Sequence, residues 1–279
     1  MSQSGSRPLI LLTNDDGYRA AGLLALRAEL ARHARVVTVA PATEMSGTSH
    51  AITLARPLSV EEFDVDSFAV DGTPADCVTL AIHRLLPEPP AAIVSGINHG
   101  ANLGDDVGYS ATVGAAVEGA LSGIPSLAVS QVKAGPSADF GSAARVATAV
   151  VLALASGDAR IPPDTFLNMN VPPRAPRGFS VTGLARRRYE NPIEERQGNE
   201  GRVYYWVGGR PIWESAPGSD HHAVIGLGHV SISLLGTDWS RAVPGGRPAG
   251  EADLASLATA FLRARAALPT EISREDAPR

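Results

Sequence analysis

The chain has 279 residues, of which 24 are Lys or Arg and 29 are Asp or Glu, so its formal net charge at pH 7 is −5. This acidic balance argues against a nucleic-acid polymer as partner, because such binders need a basic surface to release counterions from phosphates. The single cysteine, Cys77, excludes an internal disulfide framework. No apolar run approaches the roughly 20 residues of a membrane helix and no secretion signal precedes the first predicted strand, so we expect a cytoplasmic protein without a membrane partner.

Short apolar runs alternate with helical patterns through the first 172 residues. Residues 9–12 predict a buried strand that ends in the polar turn 13–17, and Leu23, Leu26 and Leu30 then recur at helical spacing. The later predicted strands and helices follow the same alternation: strands at 36–40, 92–95, 126–130 and 166–171, and helices at 112–121 and 142–154. This alternation predicts an α/β fold with a mostly parallel sheet covered by helices on both faces.

The pattern changes after residue 172. Residues 203–207 and 212–213 flank Gly208-Gly209, which predicts a hairpin, and residues 230–235 predict another strand. From about residue 250, an apolar stripe of helical spacing predicts an amphipathic helix, formed by Leu254, Leu257, Ala258, Phe261 and Leu262. We therefore divide the chain into a core at 1–172, a β-rich region with the hairpin at 173–248, and a helix that packs on the core with a frayed tail at 249–279.

Three polar, glycine-containing segments follow predicted strands, at residues 13–17, 42–50 and 96–112. A turn is predicted at 96–98, where the third segment begins. Ligands of parallel α/β sheets collect beyond the carboxyl ends of the strands. We therefore expect the three segments to lie near one another, although they are far apart in the sequence.

Asp15 and Asp16 are adjacent carboxylates at the end of a predicted buried strand. Two like charges so close together repel unless a cation or hydrogen bonds compensate. One explanation is a divalent-metal site, and the other is a helix N-cap. Combined with neutral oxygens and without cysteine ligands, the pair favours Mg²⁺ or Mn²⁺ over Zn²⁺.

Phosphate binding, if present, requires an unusual arrangement in this chain. Lys133 is the only lysine among the 24 basic residues, and it does not follow the glycine pattern of a P-loop. Segment 96–112 offers glycines, amides and hydroxyls just before a helix, which suits an anion. We therefore expect phosphate to be held by a metal ion and the helix start at residues 110–112 rather than by a lysine.

The chemistry expected at such a site is hydrolysis by water. Phosphatases of the haloacid-dehalogenase type carry a nucleophilic Asp two residues before a second Asp, but Asn14 stands two residues before Asp16 here. A covalent phospho-aspartate is therefore not expected, and direct attack by metal-activated water is.

Five separated motifs in the same order resemble the SurE family of nucleotidases, and the match as a whole runs from about residue 8 to about residue 265. The motifs are at residues 11–17, 46–47, 70–77, 95–106 and 109–113, and segment 218–231 is similar to the family's C-terminal signature. The resemblance implies a Rossmann-like fold with a β-rich C-terminal part. It also implies a metal-dependent 5′(3′)-nucleotidase that releases phosphate from nucleoside monophosphates, with some members also acting on polyphosphate. Members form homodimers or homotetramers, and the 203–213 hairpin suits either such an interface or plain intrachain packing.

The resemblance also assigns roles to individual residues. One divalent ion per subunit, Mg²⁺ or Mn²⁺, is expected on four ligands: Asp15, Asp16, Ser46 and Asn98. The first two are the expected catalytic residues. Phosphate contacts are expected from Asn14, Gly47, Ser110 and Thr112. The chain departs from the family at residues 233–235, which read Ser-Leu-Leu where Thr-Pro-Leu is usual, so roles beyond that strand stay open.

Several alternatives remain open from the sequence. His50 and His99 flank the inferred site, and each is either a general acid or base or an ordinary loop histidine. The enzyme is either a nucleotidase or a broad phosphomonoesterase or exopolyphosphatase. A third possibility is a non-catalytic protein that senses nucleotides.

Overall fold

The computed structural model describes residues 7–133, 135, 139–198 and 202–238. The described helices are α1 (Ala21–Leu30), α2 (Pro74–Leu80), α3 (Ala111–Leu121) and α4 (Gly141–Ser156). The described strands are β1 (Leu9–Thr13), β2 (Arg35–Pro41), β3 (Val60–Asp64), β4 (Ser67–Val70), β5 (Ala92–His99), β6 (Ser126–Gln131), β7 (Thr165–Val171), β8 (Gly178–Val181), β9 (Arg186–Glu190), β10 (Ile193–Gln197), β11 (Val203–Val207), β12 (Arg210–Glu214) and β13 (His229–Gly236).

Nine strands form one central sheet in the order β3-β4-β2-β1-β5-β6-β7-β13-β8. The six strands from β4 to β7 in this order are parallel to their neighbours, whereas β3 at one edge is antiparallel to β4. Two strands from beyond residue 172 extend the other side: β13 pairs antiparallel with β7, and β8 pairs parallel with β13. The core sheet thus includes chain from both sides of residue 172.

Alternate side chains of β1 enter two different cores. Ile10 and Leu12 pack in the cluster that contains the apolar residues of α1 and α4. Leu9 and Leu11 pack on the opposite face, in the cluster that contains Cys77 of α2. Because successive side chains of a strand point to opposite faces, a continuous apolar run is what a strand covered on both sides requires. The predicted α/β class is confirmed.

Strand β5 continues through the segment that the sequence analysis predicted as a turn. Ser95 pairs with Ala128, and pairing with β6 resumes at Asn98 opposite Ser130, with a shift in register between the two pairs. A Cβ atom on Gly96 would lie 2.3 Å from the Val129 carbonyl oxygen. The turn prediction is therefore wrong: the glycine permits a β-bulge where two backbones approach closely, and the strand runs on to His99.

Strands β9–β12 form a two-stranded arm outside the central sheet. β10 pairs with β11 and β9 pairs with β12, and one antiparallel register runs through both pairs with an interruption at residues 191–192 and 208–209. The predicted hairpin turn at Gly208-Gly209 is wrong, because the chain reverses between β10 and β11 instead. Gly209 has φ +103° and a Cβ there would lie 2.5 Å from the Glu190 carbonyl oxygen, so the glycine serves a close backbone approach.

The predicted C-terminal helix around Leu254 and Phe261 lies outside the described residues. Among the residues that are described, none of the helices combines the length and the apolar character needed to cross a membrane.

Helix α1 packs closely against the end of β5 at Gly22, where a Cβ would lie 2.0 Å from the Ile97 carbonyl oxygen. Gly→Ala in a helix interior ordinarily stabilises by about 1 kcal/mol. We expect Gly22→Ala to reverse that sign and to destabilise by about 1–3 kcal/mol, because the added methyl group forces the helix away from the strand. Urea unfolding measures the change.

Gly108→Ala is the matched control, since nothing lies within 4 Å of a Cβ at Gly108. It should change the free energy of unfolding by less than about 0.5 kcal/mol. A Gly22→Ala variant as stable as the wild type would show that α1 and β5 are not in the close contact described here.

Candidate active site

Three polar segments meet at the carboxyl ends of β2, β1 and β5, which are neighbours in the sheet. The Met45 amide donates to the Asp15 carbonyl oxygen (2.8 Å), and the Thr112 amide donates to the Asp15 carboxylate (3.2 Å). The His99 amide donates to the Asp16 carboxylate (3.1 Å). The proximity predicted for the three segments is confirmed.

Asp15 is buried directly behind the surface of this site, with 3% of the residue exposed. Thr112 contacts both of its carboxylate oxygens, since its hydroxyl donates to Oδ1 (2.5 Å) and its amide to Oδ2 (3.2 Å). Burial is the main reason why the pKa of Asp15 is raised to about 6; the hydrogen bonds from Thr112 oppose this rise and the neighbouring Asp16 charge adds to it. Thr112 therefore fixes the orientation of a carboxylate that forms no ion pair with any basic side chain of the described residues.

Neither aspartate caps the following helix. α1 begins at Ala21 after the N-cap residue Ala20, and no side chain makes a cap hydrogen bond there. The N-cap explanation of the carboxylate pair is therefore wrong.

Asp16 faces a second acidic side chain, Glu44. Burial raises the pKa of Asp16, and the negative charge of Glu44 adds to this effect. The Ser46 hydroxyl donates to the Glu44 carboxylate (2.9 Å), which ties the predicted ligand Ser46 to this acidic group. The site thus gathers three carboxylates, and a cation would relieve their repulsion.

Asn98 follows the β-bulge, which alters the alternation of side chains at the end of β5. Its side-chain amide nitrogen donates to the Gly100 carbonyl oxygen (2.8 Å) and thereby fixes the rotation of the amide group. An open cavity of about 790 Å³ lies here, lined by Asp16, Glu44, Ser46, Asn98, His99, Gly100, Ala101, Lys133, Arg187 and Pro211. Three of the four predicted metal ligands line this one cavity, and Asp15 lies beside them.

The donor set fits a hard divalent cation. Among the described residues, no group of three or more His, Cys, Asp and Glu side chains is placed to hold a metal. Two carboxylates, the Ser46 hydroxyl and the Asn98 amide oxygen provide an all-oxygen set instead, which Mg²⁺ and Mn²⁺ prefer. The raised pKa values of both aspartates are consistent with this donor set, because a bound cation would stabilise their ionised forms.

The four residues predicted to contact phosphate differ in their surroundings. Asn14 is fully buried, and its amide nitrogen donates to the Gly17 carbonyl oxygen (2.9 Å), so it braces the turn after β1. Ser110 is the N-cap of α3, where its hydroxyl accepts from the Val113 amide (3.2 Å). Thr112 holds Asp15, and Gly47 lies exposed in the loop after β2 with φ +75°. The phosphate contacts of these residues stay a prediction.

The two candidate histidines lie in different places. His99 lines the acidic cavity, with its ring edge against Phe140 at 5.7 Å between ring centroids. His50 instead contacts Glu118 (Nε2 to Oε2, 2.8 Å), and it lines a separate, mainly apolar pocket of about 340 Å³. Only His99 therefore shares a cavity with predicted metal ligands.

Sequence reasoning missed three charged residues of the cavity: Glu44, Lys133 and Arg187. Phosphate was expected to be held without a lysine, but the one lysine of the chain lines the site. Its uniqueness among 24 basic residues was the available signal. Arg187 comes from β9, far along the chain, and forms an ion pair with Asp106, so no local pattern could have indicated it.

Comparison with known proteins yields a consistent group of similar sequences and structures. A family model described as survival protein SurE matches residues 10–191. The chain is 48% identical over 233 residues to a 5′-nucleotidase SurE of Geotalea daltonii, covering 82% of this chain and 93% of that protein. It is 46% identical over 236 residues to a 5′-nucleotidase SurE of Sorangium cellulosum, covering 83% of this chain and 91% of that protein.

A solved structure agrees with the sequence comparisons. The crystal structure of the Sure protein from Aquifex aeolicus superposes with a TM-score of 0.73 at 38% sequence identity. The match covers 83% of this chain and 94% of that chain.

Thr112 positions Asp15, and its removal should therefore weaken metal binding. We expect Thr112→Val to raise the Kd for Mn²⁺ about 10- to 100-fold, because the carboxylate loses its orienting hydroxyl and its pKa rises further. Isothermal titration of metal-free protein measures the change. Thr112→Ser keeps the hydroxyl and should bind Mn²⁺ nearly as the wild type does. An unchanged Kd in Thr112→Val, together with a raised KM, would show that Thr112 acts on the phosphate alone and not through Asp15.

The Glu118–His50 contact predicts a pH-dependent contribution to stability. The hydrogen bond from His50 lowers the pKa of Glu118 below its ordinary value of 4.5, against the opposing effect of burial. A carboxyl group whose pKa is lower in the folded than in the unfolded state stabilises the folded protein above pH 4.5. This stabilisation is lost as the pH falls through the pKa of the folded state. Glu118→Gln should therefore cost about 1 kcal/mol at pH 7 and progressively less below pH 4.5.

Urea unfolding at a series of pH values measures this difference. Glu88→Gln, at an exposed position, is the control that should follow the wild type throughout. A Glu118→Gln deficit that stayed constant down to pH 3 would mean that the effect does not arise from the ionised carboxylate.

Proposed function

The chain belongs to the SurE family, and we propose that it is a metal-dependent phosphohydrolase that releases phosphate from nucleoside monophosphates. The observation that carries the metal dependence is the pair Asp15 and Asp16, two partly or fully buried carboxylates whose pKa values are both raised. Ser46 and Asn98 complete the proposed ligand set. One Mg²⁺ or Mn²⁺ ion per subunit is the proposed cofactor, because the donors are all oxygen atoms.

The residues of the chain prepare the site for water to attack phosphorus. A divalent ion held by Asp15, Asp16, Ser46 and Asn98 would polarise the phosphate ester as a Lewis acid and would lower the pKa of water. Thr112 and the His99 amide hold the carboxylates of Asp15 and Asp16 in fixed orientations, so little reorganisation is needed during the reaction. Ser110 lies at the first turn of the 11-residue helix α3, whose amides favour an anion, and we assign phosphate contacts to Asn14, Gly47, Ser110 and Thr112.

The proposed substrates are nucleoside 5′-monophosphates, and nucleoside 3′-monophosphates by extension. The named relatives are 5′-nucleotidases. A broader phosphomonoesterase or exopolyphosphatase activity is the second candidate, because the cavity of about 790 Å³ is wide and open. Comparing kcat/KM for a nucleotide with that for ribose 5-phosphate separates the two, since equal values would mean that the base is not recognised.

We further propose that the protein is a cytoplasmic homodimer or homotetramer that associates through the arm β9–β12. The far half of the arm exposes large apolar side chains: Tyr205 and Trp206 are each 62% exposed and Val207 is 85% exposed. Exposed apolar residues at such density are typical of protein interfaces. Light scattering of the purified protein tests this assembly.

Asp15→Asn tests the proposed metal site. We expect phosphate release from nucleoside monophosphates to fall by several orders of magnitude at saturating Mn²⁺, because the carboxylate that holds the ion is lost. Residual activity above about a tenth of the wild type would show that the ligand assignment is wrong. Asp158→Asn, at an exposed position after α4, is the control that should keep full activity.

The same variant should be stable without metal. Burial raises the pKa of Asp15 to about 6, so the ionised carboxylate costs stability at pH 7 and its replacement by a neutral amide removes that cost. Thermal unfolding should therefore show a Tm of metal-free Asp15→Asn at or above that of the wild type. Mn²⁺ should raise the Tm of the wild type and leave that of Asp15→Asn unchanged.

A non-catalytic nucleotide sensor would instead bind nucleotides tightly without turnover in the wild type.

A further inference from the structure

Two basic side chains line the acidic cavity, but among the described residues only Arg187 forms a close ion pair. Arg187 forms an ion pair with Asp106, and its guanidinium lies 4.3 Å from the centre of the Tyr189 ring. Lys133 forms no ion pair within 4.0 Å among the described residues, although its charge lowers the pKa of Asp16, and its side chain is exposed to the cavity. Lys133 is therefore the basic group that is available to an anion entering this site.

The backbone around Lys133 directs its side chain to the cavity. The Gly100 amide donates to the Gln131 carbonyl oxygen (2.9 Å), and the Val132 amide donates to the Val171 carbonyl oxygen (3.0 Å), which fixes the chain at the end of β6. The Lys133 side chain lies over Gly100, where a Cβ would be 3.3 Å from Cε of the lysine. A glycine at this position thus leaves the room that the lysine stem occupies.

The same position is adjacent to the proposed ligand Asn98. The side-chain nitrogen of Asn98 lies 3.9 Å from the position of a Cβ on Gly100, and Cε of Lys133 lies 3.3 Å from it. The side chains of Asn98 and Lys133 therefore both lie next to Gly100, in the cavity that Asp16 also lines. An ammonium group here is placed next to any phosphate that the site receives.

The charges of the site explain why this cation matters. The carboxylates of Asp15 and Asp16 together offset one divalent ion. Glu44 then leaves one further negative charge on the cavity wall, and that charge repels a phosphate dianion. The ammonium of Lys133 adds one positive charge to this cavity, and ammonium groups donate charge-assisted hydrogen bonds to phosphate.

We propose that Lys133 binds the phosphate group of the substrate, and that it acts in phosphate recognition rather than in holding the metal. This inference rests on the proposed phosphohydrolase function. The lysine comes from the segment after β6 and not from a glycine-rich loop before a helix, so it is a phosphate-binding lysine without a P-loop.

Lys133→Met tests the proposal, because it removes the charge and keeps an unbranched apolar stem. With Mn²⁺-loaded protein we expect kcat/KM for nucleoside monophosphates to fall about 10- to 100-fold, mainly through KM, as the loss of a charge-assisted hydrogen bond predicts. Lys133→Arg should recover most of the loss. Arg160→Met is the control for the loss of one positive charge. Arg160 is exposed and precedes β7, so it lies at the amino ends of the parallel strands, away from the site at their carboxyl ends.

Product inhibition separates phosphate recognition from a general effect. In Lys133→Met the Ki of inorganic phosphate should rise about as much as KM does, whereas the Ki of the unphosphorylated nucleoside should not change. The Kd for Mn²⁺, measured by titration, should be unchanged or lower, because a positive charge near Asp16 has been removed. Unchanged KM and phosphate Ki would overturn the proposal, and so would a loss of Mn²⁺ affinity that accounts for the whole effect.

The single lysine of the chain allows a direct readout that does not use activity. Limited acetylation with acetic anhydride, followed by peptide mass spectrometry, reports the reactivity of Lys133 alone. Inorganic phosphate in the presence of Mn²⁺ should protect Lys133 at least threefold, while the nucleoside should not. Equal acetylation with and without phosphate would contradict the proposal. A wild-type protein that released no phosphate from any nucleotide would instead refute the proposed function, independently of the Lys133 variants.

Discussion

The structure of this site depends on one constraint: two adjacent carboxylates are held at the end of a buried strand. Burial raises the pKa of both Asp15 and Asp16, and the neighbouring charges of Asp16 and of Glu44, respectively, add to it, so a compensating positive charge would stabilise the ionised pair. Two other elements supply hydrogen-bond donors to the pair: the amide and hydroxyl of Thr112 in α3, and the His99 amide in β5. The protein thereby maintains a negatively charged cavity that is suited to a divalent ion.

That constraint requires β5 and the following segment to be held accurately, and a buried network of amide groups does this. The Asn102 amide donates to the Asn170 side chain (2.8 Å), and its side-chain nitrogen donates to the Ser130 hydroxyl (2.8 Å). Its carbonyl oxygen accepts from the side chains of Asn168 and Asn170, each at 3.0 Å. Because buried polar groups cost free energy when unpaired, such a network specifies one position for the loop that leads to α3.

The arm β9–β12 connects the remote part of the chain to the site. Arg187 at its base pairs with Asp106 and lines the same cavity as Asp16, while its far end exposes Trp206 and Val207. One structural element therefore contributes both a wall of the site and an apolar surface suited to association. A partner that bound the far end would contact an element that is continuous with the cavity.

The sequence by itself determined the α/β class, the five central parallel strands β1, β2, β5, β6 and β7, and the family, but it did not indicate β3 and β4. Apolar runs and helical spacing report burial directly, and the motifs around Asp15 and Asn98 are local in the chain. The sequence-based prediction was wrong at two glycines, because a glycine can either form a turn or allow two backbone segments to approach closely. Gly96 and Gly209 were predicted in turns, but both allow a close backbone approach. Only the tertiary structure decided those uses, and only it brought Glu44, Lys133 and Arg187 to one cavity, because their proximity arises from strand order and not from sequence spacing.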